Sequence, residues 1–316
     1  MRHEFRFSTA MPQLTRPVPE WRAELRRIED LGFWSVAVSD HFTEGWGMEP
    51  VVAMTAAAEA TRTLRVLSLV LANDYRHPVM LHKSMATLDV LSGGRAEIGI
   101  GTGWMASDYT AANIALDPPA VRVDRLAESV SILKGLFGAE PLSYVGKHYQ
   151  ISELDGLPKP VQRPHPSMLI GGGSRRILEL AGAEADIVGI NATMRAGAPP
   201  GEALLDLTER RFAEKVSIAR AAAEAAGRDP GTLRFQTSIH SMDLIDVPGA
   251  QPWASSMATE VTDPAVLATS PAALHGSVAS CVETLQRRRE EFGLNYIHFG
   301  GDPLVAAPII ARLAGT

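Results

Sequence analysis

Cysteine is almost absent from this sequence of 316 residues, in which Cys281 is the only one. A single thiol cannot form an internal disulfide bond or supply the several thiolates of a structural zinc site. Val278, Val282 and Leu285 share a helical spacing with Cys281, which predicts a thiol buried in the core. We therefore expect neither a disulfide framework nor a cysteine-based metal site.

A basic surplus, long apolar runs and clustered metal ligands are missing as well. Lys and Arg number 30 against 36 Asp and Glu, which gives little electrostatic support for a nucleic acid partner. No run of about 18 apolar residues occurs, and residues 1–11 lack the features of a secretory signal. We therefore expect a cytoplasmic protein that binds neither nucleic acid nor membrane. The scattered histidines argue against a zinc-type cluster, so we expect no metal site.

What the chain does contain is a regular alternation of strands and helices. Short β-branched runs are followed by segments whose apolar residues recur at intervals of three and four. Eight strands are predicted, at Phe5–Ala10, Ser35–Val38, Arg65–Leu71, Ala96–Ile100, Met168–Ile170, Ile187–Ile190, Leu233–Ser238 and Tyr296–Phe299. Eight such units without a linker predict an α/β fold, a (β/α)8 TIM barrel in a single domain over residues 1–316. A dinucleotide-binding fold is disfavoured because Ser8–Leu14, after the first strand, contains no glycine.

Two segments interrupt this alternation and are predicted to be insertions, at approximately residues 140–165 and 243–275. The first has two short apolar runs around Val145-Gly146-Lys147, which predicts a hairpin, and the second has four prolines and is predicted to be irregular. Between them, Glu202–Gly227 is predicted to form one long helix. A barrel of this type needs about 250 residues, so we interpret the two insertions as a lid and a wall at the substrate-binding end.

In such a barrel the active site lies where the strands end, which selects the residues just after each strand. Asp40 and His41 follow the second strand, and an imidazole is the side chain best suited to move protons near neutral pH. His41 is therefore the candidate catalytic residue, although a single loop histidine is more often structural or merely exposed. Asn73, Tyr75 and Trp104 follow the third and fourth strands, where an aromatic wall would suit an apolar or planar substrate.

Glycine-rich segments at other strand ends are further candidate ligand-binding sites. Gly171–Arg175 links a strand to a helix, so its backbone N–H groups, with Ser174 as cap, could bind a phosphate at the positive end of the helix dipole. A tight turn that binds nothing would use the same glycines. Gly300–Asp302 is a competing phosphate site, although its carboxylate would repel phosphate. Gly99–Gly103 would allow a flat ligand close to the backbone or, alternatively, serve only crowded packing inside the barrel.

Taken together, these motifs resemble the luciferase-like flavin and deazaflavin oxidoreductases. The resemblance covers nearly the whole chain and is carried by Leu31–Phe33 with Ser39–Phe42, Leu91–Arg95 with Gly99–Trp104, Leu169–Gly173 with Ala185–Gly189, and Leu274–Ser277. It implies a barrel with an inserted region and a ring of the isoalloxazine type bound where the strands end. The Asp-His-Phe sequence at residues 40–42 resembles the branch that uses coenzyme F-420, a deazaflavin, rather than FMN.

The resemblance also implies roles for particular residues. His41 would act beside the transferred hydride, and the non-proline cis peptide of the family would fall at Ser68–Leu69. The cofactor-binding residues that it implies are Asp40, Ser68, Leu69, Leu71, Gly101, Thr102, Gly103, Trp104, Gly171, Gly172, Gly173, Ser174 and Arg175. Sugar-phosphate dehydrogenases of this family carry Glu at the position of Trp104, so a sugar phosphate is a poor candidate for the substrate.

The sequence and the resemblance together predict an enzyme, an oxidoreductase that moves a hydride between coenzyme F-420 and an unidentified small organic molecule. An FMN-dependent monooxygenase that uses reduced flavin and oxygen is the first alternative. A barrel that binds a flavin or deazaflavin without turnover is the second. Members of the family are often dimers, so a homodimer is also expected.

Overall fold

The computed structural model describes residues 3–43, 45, 47–194 and 200–316. The strands in this part of the chain are Arg6–Ala10 (β1), Ser35–Val38 (β2), Arg65–Ser68 (β3), Leu71–Ala72 (β4), Ala96–Gly101 (β5), Leu142–Val145 (β6), Gln150–Leu154 (β7), Ser167–Gly172 (β8), Ile187–Ile190 (β9), Arg234–Ile239 (β10), Ser241–Leu244 (β11), Trp253–Ala254 (β12), Ala273–Gly276 (β13) and Leu294–Phe299 (β14). The α-helices are Val18–Asp30 (α1), Pro50–Ala60 (α2), Pro78–Leu91 (α3), Ala106–Ala111 (α4), Pro119–Phe137 (α5), Arg175–Glu184 (α6), Pro200–Ala203 (α7), Glu209–Ala225 (α8), Ser256–Thr259 (α9), Pro264–Ala268 (α10), Val278–Phe292 (α11) and Pro303–Leu313 (α12). Short 3-10 helices occupy Asn73–Tyr75, Leu204–Leu207 and Pro230–Thr232.

The sheet confirms the predicted fold class. Within the described residues, nine strands form one sheet in the order β3-β2-β1-β14-β10-β9-β8-β5-β4, and β3 also pairs with β5. The pairs run parallel, as in β1 with β14 and β5 with β8. Because β3 and β4 together occupy the place of one predicted strand, eight strand positions close the sheet, as in a (β/α)8 barrel.

A non-proline cis peptide bond divides the third predicted strand into β3 and β4. That bond joins Leu69 and Val70, so its predicted position at Ser68–Leu69 is wrong by one residue. Ser68, the last residue of β3, is joined to Gly99 through its side chain: its hydroxyl donates to the Gly99 carbonyl and accepts from the Gly99 N–H, both at 2.9 Å. A Cβ at Gly99 would lie 1.9 Å from the Ser68 carbonyl oxygen. Crowding between these two strands therefore explains the glycine without any ligand.

The chain divides into two compact units. The first unit contains residues 1–11, 27–36 and 171–316, and the second contains residues 12–26 and 37–170. That a single domain spans residues 1–316 therefore stays a prediction.

In the second unit, the insertion at residues 140–165 contains the predicted hairpin. Its strands β6 and β7 pair antiparallel, and Ile151 joins Ile132 and Leu136 of α5 in a buried apolar cluster. The carboxylate of Glu128, also on α5, accepts hydrogen bonds from the backbone N–H groups of residues 147–149. The hairpin is thus fixed to α5 by apolar contacts and by hydrogen bonds, and its role as a lid stays a prediction.

In the first unit, the single helix predicted at Glu202–Gly227 is wrong. The segment contains α7, a 3-10 turn and α8, which begins after Thr208. Thr208 Oγ1 accepts a hydrogen bond from the Arg211 N–H and so caps α8. Asp206, in the 3-10 turn, accepts hydrogen bonds from Lys215 Nζ at 2.7 Å and Thr193 Oγ1 at 2.6 Å. These side-chain bonds compete with a continuous helix, which apolar spacing alone does not reveal.

The segment at residues 243–275 is also more regular than predicted. Strand β11 pairs antiparallel with β12 and parallel with β13, which gives a small three-stranded sheet. The helices α9 and α10 lie between β12 and β13 in sequence. Strands of two to four residues are too short to show a periodic apolar pattern, which explains why irregular structure was predicted.

Candidate active site

His41, the predicted catalytic residue, lies just after β2 and is hydrogen-bonded to a buried carboxylate. Its Nδ1 is 2.7 Å from Asp108 Oδ2. The exposed fraction is 15% for the His41 side chain and 0% for Asp108. Asp108 lies on α4, beyond the end of β5. Neither Asp108 nor α4 was predicted from the sequence, although both belong to a segment that follows a strand end, where functional residues are expected.

The Asp108 carboxylate also holds the loop that carries His41. Its Oδ1 accepts hydrogen bonds from the N–H groups of Phe42 at 3.0 Å and Thr43 at 2.9 Å, and from the Thr43 hydroxyl at 2.7 Å. Burial raises the pKa of Asp108, but hydrogen bonds from Thr43, His41 and Phe42 lower it further, so its pKa is below the ordinary value. Because the carboxylate is ionised near neutral pH and can only accept a hydrogen bond, Nδ1 of His41 is the protonated nitrogen in this contact.

Aromatic rings surround the pair. The Trp104 ring stands nearly perpendicular to His41, with centroids 5.8 Å apart, and the rings of Phe42 and Tyr75 are 4.5 Å apart. Burial and the charge of Asp108 raise the pKa of Tyr75, so its hydroxyl stays protonated. The structure therefore brings the predicted residues His41, Tyr75 and Trp104 together in the second unit.

Asp40, a predicted cofactor ligand, is buried and paired with an arginine. Arg76 donates to both oxygens of its carboxylate, at 2.5 and 3.0 Å, and the Ala72 N–H donates to Oδ2 at 3.0 Å. Arg76 also bonds Glu49 at 2.8 Å. Asp40 thus joins the end of β2 to the end of β4, and a role for it in binding the cofactor stays a prediction.

Asn73, three residues before Arg76, has a buried side-chain donor without a hydrogen-bond partner among the described residues. Its side chain is 3% exposed, and Nδ2 has no hydrogen-bond acceptor among the residues that the structure describes. A buried amide donor that bonds nothing costs free energy. It is therefore a place where a carbonyl or ring nitrogen of a ligand would be favourable.

The turn at Thr102-Gly103 is held by hydrogen bonds from the side chains of Tyr109 and Arg122. The Tyr109 hydroxyl bonds Asp74 at 3.0 Å and the Thr102 carbonyl at 3.2 Å, and Arg122 donates to the Gly103 carbonyl. Gly103 has a φ of 73°, and a Cβ there would lie 2.0 Å from the Tyr109 hydroxyl. This turn needs glycine for its own conformation, independently of any ligand.

The other predicted cofactor-binding residues of the second unit lie at the ends of strands that are neighbours in the sheet. Leu71 is buried, and the peptide bond that follows Leu69 is the cis bond of this strand. Ala72 and Gly101 are partners in the ladder between β4 and β5. These residues offer backbone and aliphatic surface, and their contact with a cofactor stays a prediction.

In the first unit, Gly171 and Gly172 belong to the end of β8 rather than to a turn. A Cβ at Gly172 would lie 2.4 Å from Ile177, and one at Gly173 would lie 2.4 Å from the Asn191 carbonyl oxygen. Packing of the chain on itself thus explains both glycines. Ser174 occupies the N-cap position of α6 without a side-chain capping bond, and Arg175 bonds Glu179 at 3.2 Å. The prediction of phosphate binding therefore depends on Ser174 and the first N–H groups of α6.

The competing phosphate site at residues 300–302 is filled by the protein. The Trp253 side chain lies against both glycines, and a Cβ at Gly300 would be 2.5 Å from its ring. Asp302 caps α12 by accepting the Leu304 N–H at 2.9 Å. A carboxylate already occupies the position in which a phosphate would bind, which disfavours this site.

The described residues contain neither a metal-binding cluster nor a membrane-spanning helix. In the ranges 3–43, 45, 47–194 and 200–316, no three His, Cys, Asp or Glu side chains form a group that could hold a metal ion. None of the described helices has the length and apolar composition of a membrane span.

The chain belongs to the luciferase-like monooxygenase family, whose members it matches over residues 5–242. It is 29% identical over 172 residues to an FMNH(2)-dependent dimethylsulfone monooxygenase of Pseudomonas putida, covering 53% of this chain and 47% of that protein. It is also 29% identical over 153 residues to an F420-dependent glucose-6-phosphate dehydrogenase of Amycolatopsis mediterranei, covering 46% of each. The chain thus spans about half the length of these relatives.

A solved structure supports the fold. The monooxygenase RslO1 from Streptomyces bottropensis has a TM-score of 0.74 and 24% identity, over 98% of this chain and 97% of that one. The predicted family resemblance is confirmed. Because relatives of similar identity are named for FMNH2 and for F420, family membership alone does not distinguish the two cofactors.

Proposed function

We propose that this protein is an oxidoreductase that transfers a hydride between coenzyme F-420 and a small organic substrate, with His41 as its proton-transfer residue. The observation that carries the proposal is the hydrogen bond of 2.7 Å between His41 and the buried carboxylate of Asp108. A carboxylate on one ring nitrogen fixes the tautomer and orientation of an imidazole, as acid–base catalysis requires. The F420-dependent relative supports the choice of cofactor.

The residues of the second unit fit a deazaflavin ring. Such a ring has a flat apolar face and a polar edge of carbonyl and nitrogen atoms. Tyr75 and Trp104 offer aromatic surface for the face. The unpartnered Nδ2 of Asn73 offers a donor for the edge, and Thr102-Gly103 presents a preformed backbone turn. In this arrangement Asp40 acts indirectly, by fixing Arg76 and the backbone at Ala72.

A bound deazaflavin supplies the hydride chemistry, and the protein supplies orientation and the accompanying proton. His41 donates its Nδ1–H to Asp108, so Nε2 takes a proton from the substrate when a hydride leaves it. In the opposite direction, Nε2 returns that proton as the substrate gains the hydride. The ionised Asp108 carboxylate stabilises the imidazolium that exists between these steps.

In the first unit, the start of α6 would bind a phosphate of the cofactor. Ser174 is in the N-cap position, and the first backbone N–H groups of a ten-residue helix have no partner within the helix. Arg175 is bonded along the helix to Glu179. We therefore assign phosphate binding to the backbone and the Ser174 hydroxyl rather than to the Arg175 guanidinium.

The second candidate is an FMN-dependent monooxygenase. The observation that favours it is the similarity to the dimethylsulfone monooxygenase of Pseudomonas putida, at the same 29% identity and over a longer stretch. His41 and Asp108 would then serve proton transfer in an oxygen reaction.

The experiment that separates the two candidates is a pair of titrations of the purified protein with coenzyme F-420 and FMN, followed by tryptophan fluorescence. We expect tighter binding of coenzyme F-420. Ser174→Asp places a carboxylate at the start of α6, and the affinity should fall at least about tenfold by charge repulsion. Ser174→Asn, an uncharged capping residue, is the matched control: it also loses the hydroxyl but adds no charge, so it should bind more tightly than Ser174→Asp. Tight FMN binding together with no binding of coenzyme F-420 would reject the proposal in favour of the monooxygenase.

A further inference from the structure

A pair of imidazoles lies in the first unit, at the carboxyl ends of β10 and β14. His298 stands in the ladder between Ser8 of β1 and Ser238 of β10, and His240 follows two residues after Ser238. The two rings are near enough for a charge on His240 to lower the pKa of His298. The carboxyl ends of barrel strands are where such a fold binds ligands.

Each of these rings is oriented through the same nitrogen. Nδ1 of His298 is 2.8 Å from the Ser8 hydroxyl, and Nδ1 of His240 is 3.0 Å from the Ser255 hydroxyl. Ser255 is itself positioned by its N–H, which donates to the His240 carbonyl at 2.8 Å. Neither Nε2 has a hydrogen-bond partner within the described part of the chain. The two Nε2 atoms are therefore held in place and available to a ligand.

Both rings are uncharged at neutral pH. Burial lowers the pKa of His240 to about 4 and, with the charge of His240, lowers the pKa of His298 to about 3. No carboxylate contributes to either shift. An ionic ligand would lose its hydration here without a counter-charge, which is unfavourable. A hydroxyl group suits two neutral imidazoles, because it donates to one Nε2 and accepts from the other.

A tryptophan supplies an apolar wall next to this pair. Trp253 lies against the backbone that follows His298, since Cβ atoms at Gly300 and Gly301 would be 2.5 and 3.0 Å from its side chain. The strand that carries Trp253 is held in place by β11, in which Met242 is its partner. A flat ring surface of this kind favours a ligand with a planar, apolar body.

We propose that His240, His298 and Trp253 form a binding site for an uncharged aromatic alcohol, a ligand with a phenol-type hydroxyl on a planar ring. The two Nε2 atoms would bind the hydroxyl, and Trp253 would contact the ring. All the residues of this site belong to the first unit, and the proposal does not rest on the identity of the cofactor.

The test uses phenol as the probe, with anisole and benzoate as matched compounds. Long-range ¹H–¹⁵N spectra of the full-length protein without cofactor report the histidine ring nitrogens during each titration. Phenol should shift Nε2 of both His240 and His298. Anisole, which cannot donate a hydrogen bond, should bind about tenfold more weakly, and benzoate should bind more weakly still.

The variants His298→Gln and His240→Gln should each weaken phenol binding about tenfold. His275→Gln is the matched control, because Nε2 of His275 is already bonded to Ser241 at 2.8 Å, and it should leave phenol binding unchanged. If His298→Gln does not fold, Ser8→Ala should release Nδ1 and weaken phenol binding. No phenol binding up to about 10 mM, tighter binding of benzoate than of phenol, or unchanged affinity in the folded variants would overturn the site. Phenol binding in a protein that fails to bind coenzyme F-420 would support this site while rejecting the proposed function.

Discussion

The most informative perturbation is Asp108→Asn, because it changes the hydrogen bond to His41 without changing the size of the side chain. In the natural protein, Oδ2 of Asp108 accepts the Nδ1–H of His41 at 2.7 Å, while Oδ1 accepts three bonds from residues 42 and 43. The asparagine oxygen can replace Oδ1 in the loop, so its NH₂ group then faces Nδ1. An NH₂ group requires an acceptor, which moves the ring proton to Nε2 and removes the base.

The size of the effect follows from the bond that is lost. A hydrogen bond to a charged group contributes about 1.5–3 kcal/mol, and each 1.4 kcal/mol corresponds to about a tenfold change in rate. We therefore expect kcat to fall about 10- to 150-fold, with KM changed less, because the bond acts on proton transfer rather than on binding. The loss should be larger for the reaction direction in which His41 must accept a proton.

The assay combines turnover with spectroscopy. The absorbance of the deazaflavin follows hydride transfer with the first substrate that supports turnover, and ¹⁵N spectra of His41 report which nitrogen carries the proton. Asp89→Asn is the matched control, because Asp89 is another buried carboxylate of the second unit and bonds Gln162. If Asp108→Asn has the same kcat as Asp89→Asn, or if His41 keeps its proton on Nδ1, then Asp108 does not set the tautomer that His41 needs for proton transfer.

Three further predictions concern stability. Gly103→Ala should lower the free energy of unfolding, measured by urea denaturation, by more than about 1 kcal/mol, because Gly103 has a φ of 73° and a Cβ there would lie 2.0 Å from the Tyr109 hydroxyl. Gly93→Ala is the control: Gly93 has a φ of 66° but no atom near its Cβ position, so only the cost of the backbone conformation should be seen. Arg76→Ala leaves the buried Asp40 carboxylate without its ion-pair partner and should lower the free energy of unfolding by about 2–3 kcal/mol, less than for a fully buried pair because Arg76 is 20% exposed. Adding Asp40→Asn should restore part of that loss. If the effects of the two substitutions simply add, the pairing is contradicted. The free energy of unfolding should rise with pH between about 4 and 6.5, by up to about 1.4 kcal/mol per pH unit for each contributing histidine. Burial lowers the pKa of His82 and His240 to about 4 and that of His298 to about 3, so in this range only the unfolded chain binds their protons. A flat profile would contradict the assignment to these histidines.

The parts of the site that could be predicted are those that follow a strong local pattern. Asp40 and His41 come directly after a buried strand, so the rule for strand ends identifies them. Asp108 was missed because it is 67 residues from His41 in sequence and lies on a helix of six residues. A helix this short has no apolar period to predict it, although a carboxylate so soon after the end of β5 was the available signal.

The glycines illustrate the opposite error. Gly99, Gly172 and Gly173 suggested room for a ligand, but the structure shows that chain atoms occupy the space of each missing Cβ, with distances of 1.9, 2.4 and 2.4 Å. A glycine in the sequence records that something approaches the backbone closely. It does not record whether the neighbour is a ligand or another part of the chain.

The sequence by itself predicted the eight strand positions of the barrel sheet, the barrel class and the family, because these depend on local periodicity and on residues next to strand ends. It did not predict the small sheet of β11, β12 and β13. Only the tertiary structure decided which polar groups meet. The bond of His41 to Asp108 joins the loop after β2 to a distant helix, and His240 and His298 come from segments 58 residues apart that meet only through the pairing of β10 with β14. Such contacts depend on register and on side-chain direction in the folded chain, and a one-dimensional pattern contains neither.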